Sequence, residues 1–228
     1  TSKIDENPCG DNGNALEAQL SSPSSIAFDS AGHLYIADVG MFRIRKVHKE
    51  TQEITTVLGS GVFCEAEVQS PEDICLHERN GAALLTDAKL NAPRGLIFDA
   101  QDNLYFTEPN RHQIFRANMG TGGFTDVERL GSAPCEEDGI LDTKFEVGDY
   151  GECGASQADG EGVPLNESHF NTPMDLVFDT NGTLFVADTA NYLIREIGLP
   201  AGCTQDCMPD TETSPVRRVA GVAEEVCV

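Results

Sequence analysis

Three segments of this chain align with one another without a gap, and an internal repeat constrains the fold more than any other feature of a sequence. The first runs Pro23-Ser-Ser-Ile-Ala-Phe-Asp29, then Gly32-His-Leu-Tyr-Ile-Ala-Asp38, then Arg43-Ile-Arg-Lys-Val47. The second runs Pro93-Arg-Gly-Leu-Ile-Phe-Asp99, then Asp102-Asn-Leu-Tyr-Phe-Thr-Glu108, then Gln113-Ile-Phe-Arg-Ala117. The third runs Pro173-Met-Asp-Leu-Val-Phe-Asp179, then Gly182-Thr-Leu-Phe-Val-Ala-Asp188, then Leu193-Ile-Arg-Glu-Ile197. Counted from Pro23, Pro93 and Pro173, the offsets are 70 and 80 residues. Each segment is a series of short runs rich in Ile, Val, Tyr and Phe, punctuated by Gly, Asn and Asp, which is strand and turn chemistry. Four short antiparallel strands in about 40 residues make a propeller blade, and a blade cannot bury both faces alone. The expected fold is therefore all-β and β-propeller-type, with three four-stranded antiparallel blades and almost no helix. One unit spans 1–228, with blades at about 22–61, 92–132 and 172–221 and linkers at 1–21, 62–91 and 133–171.

The shared pattern Pro-x-x-(Ile/Leu)-x-Phe-Asp, Gly-x-Leu-(Tyr/Phe)-(Ile/Val)-Ala-Asp, Ile-Arg resembles the NHL repeat. Asn14-Ala-Leu-Glu-Ala-Gln-Leu20 and Ala83-Leu-Leu-Thr-Asp-Ala-Lys-Leu90 resemble the linker that precedes such repeats. The resemblance implies a propeller, usually of six blades, of which this chain supplies three.

The long insertions are acidic, Gly-rich and cysteine-bearing. The eight cysteines, with no CxxC pair and no zinc-ligand spacing, read as disulfides of an oxidising compartment. Shared loop positions lead us to expect Cys64–Cys75, Cys135–Cys153 and a local Cys203–Cys207 staple, although eight cysteines allow 105 connectivities. Cys9 and Cys227 stand where a fourth loop bond belongs if the chain is read across its ends. The sequons at Asn166 and Asn181 lead us to expect N-linked glycans and an extracellular, secreted protein.

Thirty-eight acidic residues against 15 basic ones give a formal net charge of −23. Nucleic acid and anionic membranes repel such a chain, and no apolar run is long enough to cross a bilayer. Calcium is weakly indicated by Asp11-Asn-Gly13 and Asp159-Gly-Glu-Gly162, neither of which completes a calcium loop. No other cofactor and no metal site is expected. The histidines His33, His48, His77, His112 and His169 fall at unrelated repeat positions and read as scattered surface residues. The acids Asp38, Glu108 and Asp188 recur in register, as do Asp29, Asp99 and Asp179, and turn Asp residues commonly bond nearby backbone. Arg45 and Arg195 match each other and read as surface arginines paired with acids, with Phe115 in the middle copy.

No catalytic residue is assigned, so the expected function is a non-enzymatic extracellular structural module. It would assemble with copies of itself, as a ring or a head-to-tail filament, through the open faces of its terminal blades. Ile26 and Phe28 would form one face and Leu176 and Phe178 the other. The alternatives are a secreted ligand- or glycan-binding propeller fragment of a larger protein, or a lactonase- or lyase-like propeller enzyme.

Overall fold

The computed structural model describes residues 8–62, 85–86, 88–131, 136–137, 140–141, 163–165, 168–199, 208–209 and 214–221. Its described residues are all-β. Sheet one contains β1 (Gly13–Asn14), β2 (Pro23–Phe28), β3 (Leu34–Asp38), β4 (Arg43–Val47) and β5 (Glu53–Leu58), in the spatial order β1-β5-β4-β3-β2. Sheet two contains β6 (Leu96–Phe98), β7 (Leu104–Glu108), β8 (Gln113–Gly120) and β9 (Gly123–Leu130), in chain order. A two-residue ladder, β10 (Glu136–Glu137) with β11 (Ile140–Leu141), follows. Sheet three adds β12 (Val163–Pro164), β13 (Pro173–Phe178), β14 (Leu184–Asp188), β15 (Leu193–Ile197) and β16 (Pro215–Ala220), in the order β12-β16-β15-β14-β13. All pairings are antiparallel. The four-stranded repeat thus gains a fifth, two-residue strand from the linker in sheets one and three.

The repeat fixes the turns as well as the strands. After β3, β7 and β14 the chain makes one turn of 3-10 helix, and Phe42, His112 and Tyr192 close it in the left-handed region. Each donates its N–H to the carbonyl three residues back, at Val39, Pro109 and Thr189. Gly59 and Gly221 end the outer strands of sheets one and three with φ of 97° and 92°, and a Cβ there would strike the carbonyl of Phe42 or Tyr192.

The sheets stack face to face because each strand alternates sides with period two. Between sheets one and two, Tyr35, Ile44 and Leu58 meet Leu96, Leu104, Phe106 and Phe115, with Leu90 of the linker between them. Between sheets two and three, Tyr105, Ile114 and Leu130 meet Leu176, Leu184 and Val186, with Leu165 and Phe170 of the linker. Each linker therefore packs onto the leading face of the sheet that follows it. In sheet one, Ala15 and Ala18 cover Ile36, Val47 and Ile54 and leave Ile26 and Phe28, 62% and 61% exposed, at the inner edge.

That stacking direction corrects the expected open faces. Leu176 is 5% exposed and Phe178 packs edge-on against Tyr105, with ring centroids 5.0 Å apart, so both face sheet two. Leu176 and Phe178 are in register with Ile26 and Phe28, and one strand phase cannot serve both ends of a stack. The trailing face of sheet three is instead Val177, Ile194 and Val219, all exposed.

Candidate metal-binding site

The repeated acids hold the frame. Asp38, Glu108 and Asp188 are fully buried. Each accepts the backbone N–H of the residue two before the repeat's proline, from Ser21 at 2.7 Å, Asn91 at 2.6 Å and Asn171 at 2.7 Å. They tie each linker to the sheet it precedes. At the opposite end, Asp29, Asp99 and Asp179 accept the N–H four residues on, from His33, Asn103 and Thr183, at 2.8, 2.9 and 2.9 Å. These are Asx-type turns.

The arginines are not surface residues. Arg45 is 0% exposed and donates to Asp11 Oδ1 at 2.7 Å, to the Gln19 carbonyl at 2.8 Å and to the Cys9 carbonyl at 3.1 Å. Arg195 donates to the His169 carbonyl at 2.7 Å and to Asp188 Oδ2 at 3.3 Å. Gln19 and His169 occupy the same repeat position, so the two guanidiniums perform one task, closing the linker carbonyl onto the buried acid. Burial raises the carboxyls of Asp38 and Asp188, and the arginine beside each pulls the other way. In sheet two Phe115 takes the arginine's place and stacks on Phe106 at 5.3 Å. Glu108 then has Arg111 at 3.7 Å, and burial pushes its carboxyl up to about 7. Asp11 also lies within reach of Arg43 and Thr56, so the carboxylate of the Asp11-Asn-Gly13 motif is fully engaged. The Asp159–Gly162 motif lies outside the described residues.

The turn end of sheet one gathers three donor groups that the other two sheets lack. His33 ends the β2–β3 turn and His48 begins the β4–β5 turn. Leu34 pairs with Val47, so the two histidines meet one step beyond that pair. Their ring centroids are 4.3 Å apart. Glu50 follows in the same turn, with its Oε2 3.4 Å from His48 Nδ1. One donor atom from each of the three lies within 4.8 Å of the others, a cluster that can hold a metal ion. His33 Nδ1 accepts the Lys49 N–H at 3.1 Å, and His48 Nδ1 accepts the Thr51 N–H at 3.3 Å. Lys46 Nζ stands 3.5 Å from Asp29 Oδ2 and over the Tyr35 ring. The histidine positions do not recur at the repeat offsets, so the repeat alone marks them as scattered. The signal that finds them is the hairpin register: residue pairs across β3 and β4 share one sum, and 33 with 48 continues it.

The other sequence-derived sites separate. His112 is structural, its Nδ1 accepting the Thr172 N–H at 2.9 Å, and burial lowers its imidazole. Asn181 is exposed in the β13–β14 turn, where its N–H and side-chain amide donate to Asp179. Asn166, His77 and the pairs Cys64/Cys75, Cys135/Cys153 and Cys203/Cys207 lie outside the described residues, as does Cys227. Cys9 is described and is a free thiol, 3.5 Å from Met41 Sδ. The expected Cys9–Cys227 bond is therefore not made, and the expectation of a disulfide framework is corrected, no disulfide being found among the described residues. Among the described residues no helix is long and apolar enough to cross a membrane.

A family model described as the teneurin NHL domain matches residues 2–73, which are the first linker, sheet one and the start of the next linker. Teneurin-1 of Homo sapiens is 22% identical over 85% of this chain and 9% of its own length. Teneurin-3 of Danio rerio is 25% identical over 85% of the chain and 9% of itself. Teneurin-4 of Homo sapiens is 45% identical over 53% of the chain and 4% of itself. The chain thus spans less than a tenth of these relatives. Among solved structures, a virginiamycin B lyase from Staphylococcus aureus superposes with a TM-score of 0.40 at 12% identity, over 77% of this chain and 38% of that one. A gluconolactonase from Xanthomonas campestris gives 0.45 at 16%, over 90% and 48%. A luciferin-regenerating enzyme gives 0.37 at 13%, over 92% and 50%.

The expectation of a non-enzymatic, self-assembling module does not stand. It presumed that no metal-capable cluster exists, and His33, His48 and Glu50 form one. It presumed that Leu176 and Phe178 are open, and they are covered within the chain.

Proposed function

We propose that this chain is part of a larger, extracellular propeller protein that binds a ligand at the turn end of sheet one. The observation that carries this reading is the meeting of His33, His48 and Glu50, three donor groups outside the acid and arginine ties that hold the repeats. The formal charge of −23 favours a cationic ligand, since the field of the molecule concentrates cations at its surface. The remaining blades come from elsewhere in the longer protein and cover the two open ends. Ile26 and Phe28 support this, because their in-register counterparts Leu96, Phe98, Leu176 and Phe178 all pack against a preceding sheet. An N-glycan on exposed Asn181 belongs to the same extracellular reading.

The test is binding of an oligoarginine peptide and of a panel of defined neutral glycans, measured by calorimetry at low and high salt. Binding of the peptide that weakens with salt and is lost in a His33→Asn/His48→Asn variant is expected. Equal affinity of the variant for every probe overturns the assignment of the site.

A second reading is metal-assisted lyase or lactonase chemistry at the same turns. Three protein donors with a fourth position open is the arrangement of catalytic rather than structural zinc sites. Turnover of a small lactone that requires added zinc and both histidines supports it, and turnover unchanged in the double variant refutes it.

A further inference from the structure

We infer that His33, His48 and Glu50 bind a divalent transition ion of the zinc type and not calcium, and that loading the site frees the backbone amides of Lys49 and Thr51. The inference rests on the reading of this cluster as the recognition group and adds the identity of its ion and a built-in response. Calcium takes six to eight oxygen ligands, and the cluster offers two imidazoles with one carboxylate. The carboxylate of Asp29, in the turn that His33 ends, is committed to the His33 N–H at 2.8 Å and to Lys46. Imidazole suits zinc, copper, nickel and iron. Two cationic side chains belong to the same turn region, Lys46 and Lys49, so the ion must be held by directed donor bonds and not by negative charge alone.

The response follows from where the imidazole lone pairs point. Both Nδ1 atoms accept backbone N–H groups, from Lys49 and Thr51. A neutral imidazole has one protonated nitrogen and one lone pair, so the hydrogens sit on Nε2 in both rings. A metal needs a lone pair. It either displaces the amide at Nδ1 or binds Nε2 after the proton moves to Nδ1. Either route takes the acceptor away from both amides. The turn itself persists, because His48 O still accepts the Gln52 N–H at 2.9 Å and His48 N–H still reaches the Glu53 carbonyl at 2.8 Å. The site therefore reports its occupancy on the two amides that sit between those closures.

The experiment is a zinc chloride titration of the chelator-treated protein, followed by amide hydrogen exchange and by the long-range nitrogen shifts of the histidine rings. One equivalent of zinc is expected to move both rings and to speed exchange at Lys49 and Thr51 at least tenfold, with the His48 and Gln52 amides unchanged. Calcium chloride at the same concentration is expected to do neither. His33→Asn/His48→Asn, which gives sheet one the residues Asn103 and Asn118 of sheet two, is expected to weaken zinc at least tenfold, with circular dichroism confirming the fold. Undiminished zinc affinity in that variant, or ring shifts with calcium, overturns the ion assignment. Ring shifts without faster exchange at the two amides overturn the response. Failure of every peptide and glycan to bind, with zinc bound as described, would retire the ligand reading and leave this inference standing.

Discussion

Sheet one and sheet two are built on the same frame and filled with different chemistry. Both end their second repeat strand in a buried acid that accepts a linker amide, and both open it with an Asx turn. Behind the acid, sheet one has Arg45 and sheet two has Phe115. At the turn end, sheet one has His33 and His48, and sheet two has Asn103 and Asn118. Asn103 bonds Asp99, the Met119 N–H and Met208, and Asn118 bonds Asp126, so these positions in sheet two are occupied with holding the fold. Sheet three sides with sheet one at the arginine and with neither at the turn, where Thr183 and Gly198 stand. The repeated residues hold the stack, and the positions that differ give each sheet its own chemistry at the turn end.

The largest effect is expected at the arginines. Arg195→Ala leaves Asp188 buried without its cation, and breaking a buried pair costs about 3–5 kcal/mol. Urea unfolding measures it. A loss under 1 kcal/mol would mean that Arg195 does not lock the linker to sheet three as described. Glu108 is next. Its carboxyl stands at about 7 against an ordinary 4.5, so the fold holds a proton there that the unfolded chain releases. The stability this provides is fully present below about pH 4.5 and is lost as pH rises through 7, amounting to roughly 3 kcal/mol. Glu108→Gln should therefore flatten the pH dependence of unfolding over that window, and a variant that follows the wild-type slope would refute the burial effect.

Much of this frame is legible in the sequence. The in-register runs after Pro23, Pro93 and Pro173 give the strands, and recurrence of Asp38, Glu108 and Asp188 marks them as structural. Three things are not legible, each for a physical reason. The direction of stacking is set by which face the linkers cover, so the repeat alone does not show that Leu176 and Phe178 face sheet two. The burial of Arg45 depends on linker carbonyls brought from 26 and 36 residues away. The meeting of His33 with His48 follows from hairpin register and not from the repeat offset.

A smaller effect sharpens the stacking direction. Phe28→Ala should cost under about 0.5 kcal/mol in this chain, as exposed substitutions do, whereas its counterpart Phe98→Ala, packed against Tyr35 with ring centroids 4.7 Å apart, should cost about 3 kcal/mol or more. Equal losses at the two positions would show that sheet one's leading face is covered within the chain.

The central claim is that the turn end of sheet one holds a transition ion through its imidazoles. X-ray absorption at the zinc edge of the protein loaded with one equivalent tests it most directly, because the chain also carries eight cysteines. The account predicts a first shell of nitrogen and oxygen at about 2.0–2.1 Å with the outer-shell scattering of two imidazoles. A shell of sulfur at about 2.3 Å, or one without imidazole scattering, would contradict it.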